Sequence, residues 1–561
     1  MLKSRQLILV PLLILAGLLL AACQPETVIE TVVVTEVVEI EGQEVVVTEI
    51  VEVTAVPTTV PEAPAEPKIL RIGATADMYR FDPEVPTDVT VGNNVNIFDT
   101  LTRFDENFGL QPWLATSWEY DTDRGVWVFQ IRDDVFFHDG EQLTAHHIAD
   151  YFNYFSIESF MAELLQISEG ATTAVDDFTL EIESANLQLP ANASHNTMGI
   201  RRGDPFNDEH IGTGPFIYEE YVPFDHINVR ANPDWWGGAP TVDGIEMTFM
   251  PDPITRLLAL QAGEVDVIFD PPRDALGALQ GRDDLVIYDT EPGSFQQLDI
   301  VVTGEEPYEL LQDERLREAI GYAIDRQGLI DLGWGGFAAE GQTLIAPGLL
   351  GDSVGIIEGY TYDPDRAVAL LEEAGWVDSD DDGIRDQDGR ALNLRLVNGW
   401  PSAAENGDVP EVLQSQLAEV GIGIEIIPVQ DFSSYATYLI PKEADIFLNT
   451  WTNTAPSPCQ IPTFGFLFPE EPNLWQSLHS PGFVGYGDEI NEELTNCSSS
   501  TVQADAENWA AEALHTVMDE ARTSISLLGL SRIWATTNDV VEFVPHPVQG
   551  YVRWELTQLA D

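Results

Sequence analysis

Residues 378–389 read DSDDDGIRDQDG, and carboxylates at alternate positions ahead of a glycine are what a hard cation needs. Asp378, Asp380 and Asp382, followed by Gly383, match the first half of a calcium loop, and Asp386 offers a later oxygen. Position twelve is Gly389, where an EF-hand loop places a bidentate glutamate. The stretch reads either as a structural calcium site or as a solvated acidic turn, and no other cofactor is expected. His138, His146 and His147 raise a second metal question. The last two are adjacent in a predicted helix and point in different directions, and no acid–histidine spacing suited to zinc accompanies them. They read as surface histidines. The glycines of GTGPF (212–216) let two backbones come close, but Pro215 stands where a phosphate-binding loop would start its helix. HExxH does not occur, so no zinc-hydrolase set is visible. The chain is not expected to be an enzyme.

The first cysteine has a different chemistry. Lys3 and Arg5 begin the chain, Leu7 to Leu20 is almost wholly apolar, and Ala21 and Ala22 precede Cys23. This is the pattern of a signal peptide over residues 1–22, too short for a comfortable membrane span. Leu20-Ala21-Ala22-Cys23 resembles a bacterial lipobox. That implies a lipidated Cys23 at the mature N-terminus, holding the protein on the outer face of the cell membrane or in the periplasm. Cys459 and Cys497 lie in the exported part, where oxidising conditions permit a disulfide.

Acids number 95 against 25 lysines and arginines, a formal charge of −70, and lysine occurs only as Lys3, Lys68 and Lys442. Nucleic acid is thereby excluded as a partner. An anionic lipid surface is disfavoured too, which leaves the lipid anchor as the sole membrane contact. Such a charge keeps a protein soluble but self-repels until salt screens it. A saline habitat and an acidic family bias account for it equally.

The elements that must position these residues follow from pattern. VVVTEVVEI (32–40) recurs as VVVTEIVEV (45–53), rich in residues that favour extended chain, with EGQ (41–43) as a turn between them. A small hairpin is expected, with a short coiled coil as the competing form. VPTTVPEAPAEP (56–67) reads as a stiff linker. Residues 23–67 together form a tether. In the body, ILRIGAT (69–75) and VWVFQIR (126–132) are predicted strands, and LTAHHIADYFNYF (143–155) a helix capped by Thr144. Residues 254–269 and 412–429 each run from helix through glycine into strand, and 313–324 and 363–376 have strong helix periodicity. Helices alternating with strands predict an α/β fold with a parallel or mixed sheet. In NPDWWGG (232–238), Asn232, Pro233 and the glycines predict a turn, with Trp235 and Trp236 covering a core edge.

FDTLTRFDENFGLQPWLATSWE (98–119), VFFHDGEQLTAHHIADYF (135–152), the stretch from IGTGPF to VDVI (211–268) and RLREAIGYAIDRQGLI (315–330) resemble, in order, the extracytoplasmic solute-binding proteins of peptide-type ABC importers, family 5. The resemblance runs from about residue 69 to 545. It implies a two-lobed, type II periplasmic-binding-protein-like fold with a hinge. Lobe I would hold residues 68–292 with an inserted subdomain, lobe II residues 293–529, and 530–561 would return to lobe I. EPGSFQQLDIVV (291–302) and SISLLGLSRIWATT (524–537) would be the crossing strands. It implies a monomer that captures a solute and delivers it to ABC transporter permease subunits. A surface receptor without an importer, or a secreted hydrolase, are the alternatives. Relatives often pair two cysteines in this region, which implies a Cys459–Cys497 disulfide. They also end a strand at the cleft where ADIFLNTWTNT (444–454) stands. The resemblance therefore puts Thr450, Trp451 and Asn453 at the ligand, with Trp400 beside them, and lobe packing is the other reading of both tryptophans. Peptide binders commonly carry an acid just after that tryptophan, and TWTNTAPSPC has none before Cys459. The expected ligand is therefore an oligosaccharide or another neutral polar solute ahead of a free peptide.

Overall fold

The computed structural model describes residues 30–40, 43–53, 67–75, 95–158, 168–202, 210–400, 406–429, 432–473 and 475–560. The signal peptide with Cys23, and linker residues 56–66, lie outside that set. The chain divides into two compact units, residues 1–66 and 67–561.

In the first unit, β1 (Glu30–Ile40) and β2 (Gln43–Val53) pair antiparallel, with Glu30 opposite Val53 and Ile40 opposite Gln43. The repeated segment is thus two facing strands, and the coiled coil is set aside. Val and Thr, stiff at their branched β-carbons, suit a ladder better than a helix.

The second unit begins with β3 (Ile69–Ala74). Strands β4 (Ala115–Asp121), β5 (Val126–Ile131), β6 (Thr172–Asp176) and β7 (Thr179–Glu183) make an antiparallel sheet of order β4-β5-β7-β6. Its face packs Phe129, Ile131, Leu180 and Ile182 against Ile148, Phe152 and Phe155 of α1 (Ala145–Glu158). The backbone N–H of Thr144 donates to His147 Nδ1 at 3.1 Å, so a histidine takes the place of the reciprocal Glu of a capping box. His146 stays exposed, 3.7 Å from Asp177.

Next come β8 (Phe216–Val222), β9 (His226–Ala231), β10 (Gly244–Phe249), α2 (Pro253–Ala262) and β11 (Val267–Phe269). The Asp252 carboxylate caps α2 through the Thr255 N–H, and Gly263 ends it at φ 71°. Then follow β12 (Leu285–Ile300), α3 (Glu314–Ala323), α4 (Pro364–Glu373), β13 (Asn393–Trp400), α5 (Val409–Glu419), β14 (Gly423–Pro428) and β15 (Ile446–Thr452). The chain closes with α6 (Gln460–Phe466), α7 (Gly487–Ser498), α8 (Gln503–His515) and β16 (Ser524–Thr537). Helix α4 stops short of its predicted end at 376 because Gly375 turns to φ 91°.

One mixed sheet organises this unit, in the order β8-β9-β10-β3-β11-β16-β12-β15-β13-β14. The long strands β12 and β16 hold it together. Residues 285–289 of β12 face 533–537 of β16, and residues 294–299 face 524–530, with register shifts between Asp289 and Ser294. One core gathers Leu70, Ile72, Phe216, Met247 and Phe269 on the β3 side, and another gathers Leu298, Leu316, Leu370, Leu394 and Leu448 on the β15 side. This is the two-lobed α/β architecture.

Candidate ligand-binding site at the end of β15

Strand β15 leaves its lobe's core at Leu448 and Asn449, both fully buried, and reaches half-buried Thr450, Trp451 and Thr452. It pairs with β12, Trp451 opposite Phe295 and Thr450 opposite Gln296. Thr450, Trp451 and Asn453 each have a partner within the protein. The Thr450 hydroxyl donates to Asn406 Oδ1 at 3.1 Å, and Asn406 in turn receives Gln296 Nε2 and donates to Asn398. The Trp451 ring lies edge-on to Trp475, centroids 5.3 Å apart, and to Phe464 at 5.9 Å. Asn453 is 1% exposed, and its Oδ1 accepts the Ala346 N–H at 2.8 Å, while its Nδ2 is buried with no hydrogen-bond partner among the described residues. Of Trp400 only the backbone is described, opposite Asn449 on β13.

Beyond β15 the chain meets the returning C-terminal segment. The Tyr551 hydroxyl donates to the Thr454 carbonyl at 2.7 Å and accepts the Asn196 N–H at 2.7 Å. Next to it lies a small cavity of about 20 Å³ lined by Asn96, Asp99, Arg103, Trp113, Asn196 and Tyr551. Asp99 is 3% exposed, and neutral donors satisfy it. Trp113 Nε1 reaches Oδ1 at 2.7 Å, and Trp236 Nε1, the Thr213 hydroxyl and Trp235 Nε1 reach Oδ2 at 3.0, 3.0 and 3.5 Å. Guanidinium groups stack on the outer indole faces: Arg103 lies 4.7 Å and Arg553 5.3 Å from Trp113, and Arg132 lies 4.3 Å from Trp236.

Arg103 is the unusual member. It is 9% exposed, its Nη2 donates to the Tyr551 carbonyl at 2.8 Å, and no carboxylate among the described residues forms an ion pair with it. Burial pulls its pKa down, and Glu555 and Asp99 oppose that from a distance. A buried cation without an adjacent counter-charge costs several kcal/mol, and the cavity beside it, which Asp99 also lines, is where an anion could come within reach of it.

The glycines of GTGPF do bring backbones together. A β-carbon on Gly212 would lie 2.0 Å from the Ile97 carbonyl oxygen, and one on Gly214 would lie 2.2 Å from that of Asn96. This contact places Thr213 against Asp99. His138 belongs to the same junction: its Nδ1 accepts the Gly212 N–H at 3.3 Å and its Nε2 donates to the Gly214 carbonyl at 3.0 Å. Burial lowers it to about 4, so the ring is a neutral brace.

The remaining sequence candidates lie elsewhere. Cys459, just ahead of α6, and Cys497 in α7 are joined as a disulfide, with Cα atoms 5.8 Å apart. Asp378, Asp380 and Asp382 are exposed and bring carboxylate oxygens within 4.8 Å of one another. Asp386 is not part of that group; its Oδ2 accepts the Ser379 N–H and hydroxyl at 3.0 and 2.6 Å.

Asp99, Arg103 and Trp113 were not among the sequence candidates. The available signal was an arginine between aromatic residues in FDTLTRF, in a chain with few cations.

Comparison with known proteins agrees with the architecture. The nickel-binding periplasmic protein of Escherichia coli (strain K12) is 27% identical over 383 residues, spanning 63% of this chain and 70% of that protein. Di/tripeptide-binding protein 2 of Pseudomonas aeruginosa (strain UCBPP-PA14) is 26% identical over 400 residues, spanning 64% and 72%. Among solved structures, NikA from Brucella suis in complex with Fe(III)-EDTA superposes with a TM-score of 0.76 at 21% identity, covering 88% of this chain and 99% of that one. AppA from Bacillus subtilis in complex with a nonapeptide gives 0.69 at 19% identity, covering 88% and 100%. The model for bacterial extracellular solute-binding proteins, family 5 Middle, matches residues 109–466. The chain belongs to the bacterial extracellular solute-binding proteins of family 5.

Proposed function

We propose that the solute captured by this protein carries a carboxylate, that the two lobes close on it near the end of β15, and that Arg103 receives the carboxylate. Capture of a solute outside the cell and its delivery to ABC permease subunits follow from the family, whose members are binding components rather than enzymes. The observation that carries the finer reading is Arg103, buried at a cavity with no acid among the described residues ion-paired to it, in a chain of charge −70. The neutral-ligand expectation drew on Thr450, Trp451 and Asn453, whose side chains are engaged by Asn406, Trp475 and Ala346. At about 20 Å³ the cavity has the scale of one water. A solute therefore enters as the lobes part, and closing stabilises the complex only through contacts that the open form lacks. Short peptides are the first class to test, and relatives named for di/tripeptides and for nickel mark the family's range. Calorimetry against a dipeptide and tripeptide panel beside neutral oligosaccharides tests the reading. Peptide binding with no sugar response supports it, and sugar binding alone overturns it.

Anchoring through lipid on Cys23 belongs to the same proposal, resting on Leu20-Ala21-Ala22-Cys23. Among the described residues no helix is long and apolar enough to cross a membrane. Cys23→Ser should release the protein from membranes or block its processing, and a variant that fractionates and migrates like wild type refutes the anchor.

A further inference from the structure

A second cavity, of about 340 Å³, is lined by residues between 326 and 526. Its size is in the range of small-molecule sites. Three features of its wall differ in chemistry. Arg326 is 6% exposed; its Nε donates to the Ser526 carbonyl at 2.9 Å and its Nη1 to the Tyr360 carbonyl at 3.0 Å. Its Nη2 is left with no acceptor, and no carboxylate among the described residues pairs with it. The apolar wall is Met518, 3% exposed, with half-buried Val354 and Ile357. Two exposed acids, Glu340 and Glu358, also line it, beside neutral polar residues such as Gln342 and Thr361. The nearby Asp519 is already committed, because its carboxylate accepts the N–H groups of Glu358 and Gly359 at 2.8 Å each.

We infer that this cavity binds a free amino acid, with its carboxylate on Arg326 and its ammonium toward Glu340 and Glu358. A simple monocarboxylate would satisfy the arginine but be repelled by the two glutamates. A simple amine would leave the buried guanidinium uncompensated, and burial already lowers its pKa, with Glu340 the main opposing charge. Only a ligand carrying both charges close together answers the arginine and the two acids at once. The apolar wall between the poles suits an aliphatic or thioether side chain. The site is independent of Arg103, so it can fail without the solute reading failing.

Thermal-shift screening of each standard L-amino acid at millimolar concentration, followed by calorimetry on full-length protein, tests the inference. L-leucine and L-methionine are expected to bind. L-leucine amide and 4-methylpentanoate, each lacking one charge, should bind at least about tenfold more weakly. Glu340→Gln should weaken L-leucine several-fold, and Arg326→Gln should abolish binding. Because the arginine also clamps two carbonyls, Val354→Trp, which fills the cavity and keeps Arg326, should abolish binding as well. Arg103→Gln should leave it unchanged. No response to any amino acid overturns the proposal. So does binding that survives both Val354→Trp and Glu340→Gln, or that disappears with Arg103→Gln.

Discussion

The Tyr551 hydroxyl donates to the Thr454 carbonyl at 2.7 Å while accepting the Asn196 N–H at the same distance. One phenol thereby ties the returning C-terminal segment to the chain leaving β15. Tyr551→Phe keeps the ring against Phe104, 4.3 Å between centroids, and removes only these bonds. The variant should lose about 1–3 kcal/mol of stability, the cost of leaving buried partners unsatisfied. On the proposed closing of the lobes near the end of β15, it should also bind solute a few-fold more weakly. Denaturant titration and calorimetry read both. Unchanged values for both would remove Tyr551 from the closing mechanism.

Glu493 is 7% exposed, and burial, with Glu489, Glu512 and Glu520 nearby, pushes its carboxyl up to about 7 against a hydrogen bond from Thr516 at 3.0 Å. Asp445, 2% exposed, is pushed up to about 6, chiefly by burial. An acid whose folded pKa lies above its unfolded value holds its proton more tightly when folded. Stability therefore rises as pH falls through about 7 and then 6 toward the ordinary carboxylate range, and it is lost again above 7. The melting temperature should be higher at about pH 5.5 than at about pH 8. Glu493→Gln should raise stability at the alkaline end by about 1 kcal/mol and flatten the profile. A profile as steep as wild type would show that Glu493 does not titrate in this range.

Cys459 and Cys497 close a loop with a sequence separation of 38. In the chain-entropy model a loop of that length contributes about 3–4 kcal/mol. Reduction, or replacement of both cysteines by alanine, should lower stability by that order. Free thiols in unreduced, denatured protein would contradict the pairing.

The charge of −70 should make stability depend on salt. Screening shortens the reach of repulsion, so the melting temperature should climb by several degrees between dilute buffer and molar chloride. A flat profile would mean that the acids are spaced or paired well enough not to repel.

What the sequence made legible was local. Strands β3 and β5 and helices α2, α3 and α5 carry their periodicity within a dozen residues, and Gly263 and Gly421 mark the ends of α2 and α5, so their existence could be read, with ends off by a few positions. The hairpin of β1 and β2 was legible for the same reason. The order of motifs sufficed for the two lobes. The site was not legible, because its parts come from distant segments: Asp99 meets Thr213, 114 residues on, and Arg103 meets Tyr551, 448 residues on. Asn453 shows the converse. That its Oδ1 accepts a backbone N–H 107 residues away cannot be read from a polar residue at a strand end.

The central claim is that a solute carboxylate meets Arg103. Calorimetry of a binding tripeptide against its C-terminal amide, on wild type and on Arg103→Gln, tests it most directly. Neutralising one partner of a buried charge pair should cost several kcal/mol. The wild type should therefore prefer the free acid by at least about tenfold, and the preference should collapse in the variant. Equal affinity for acid and amide in wild type, or a preference that persists in Arg103→Gln, would contradict the account.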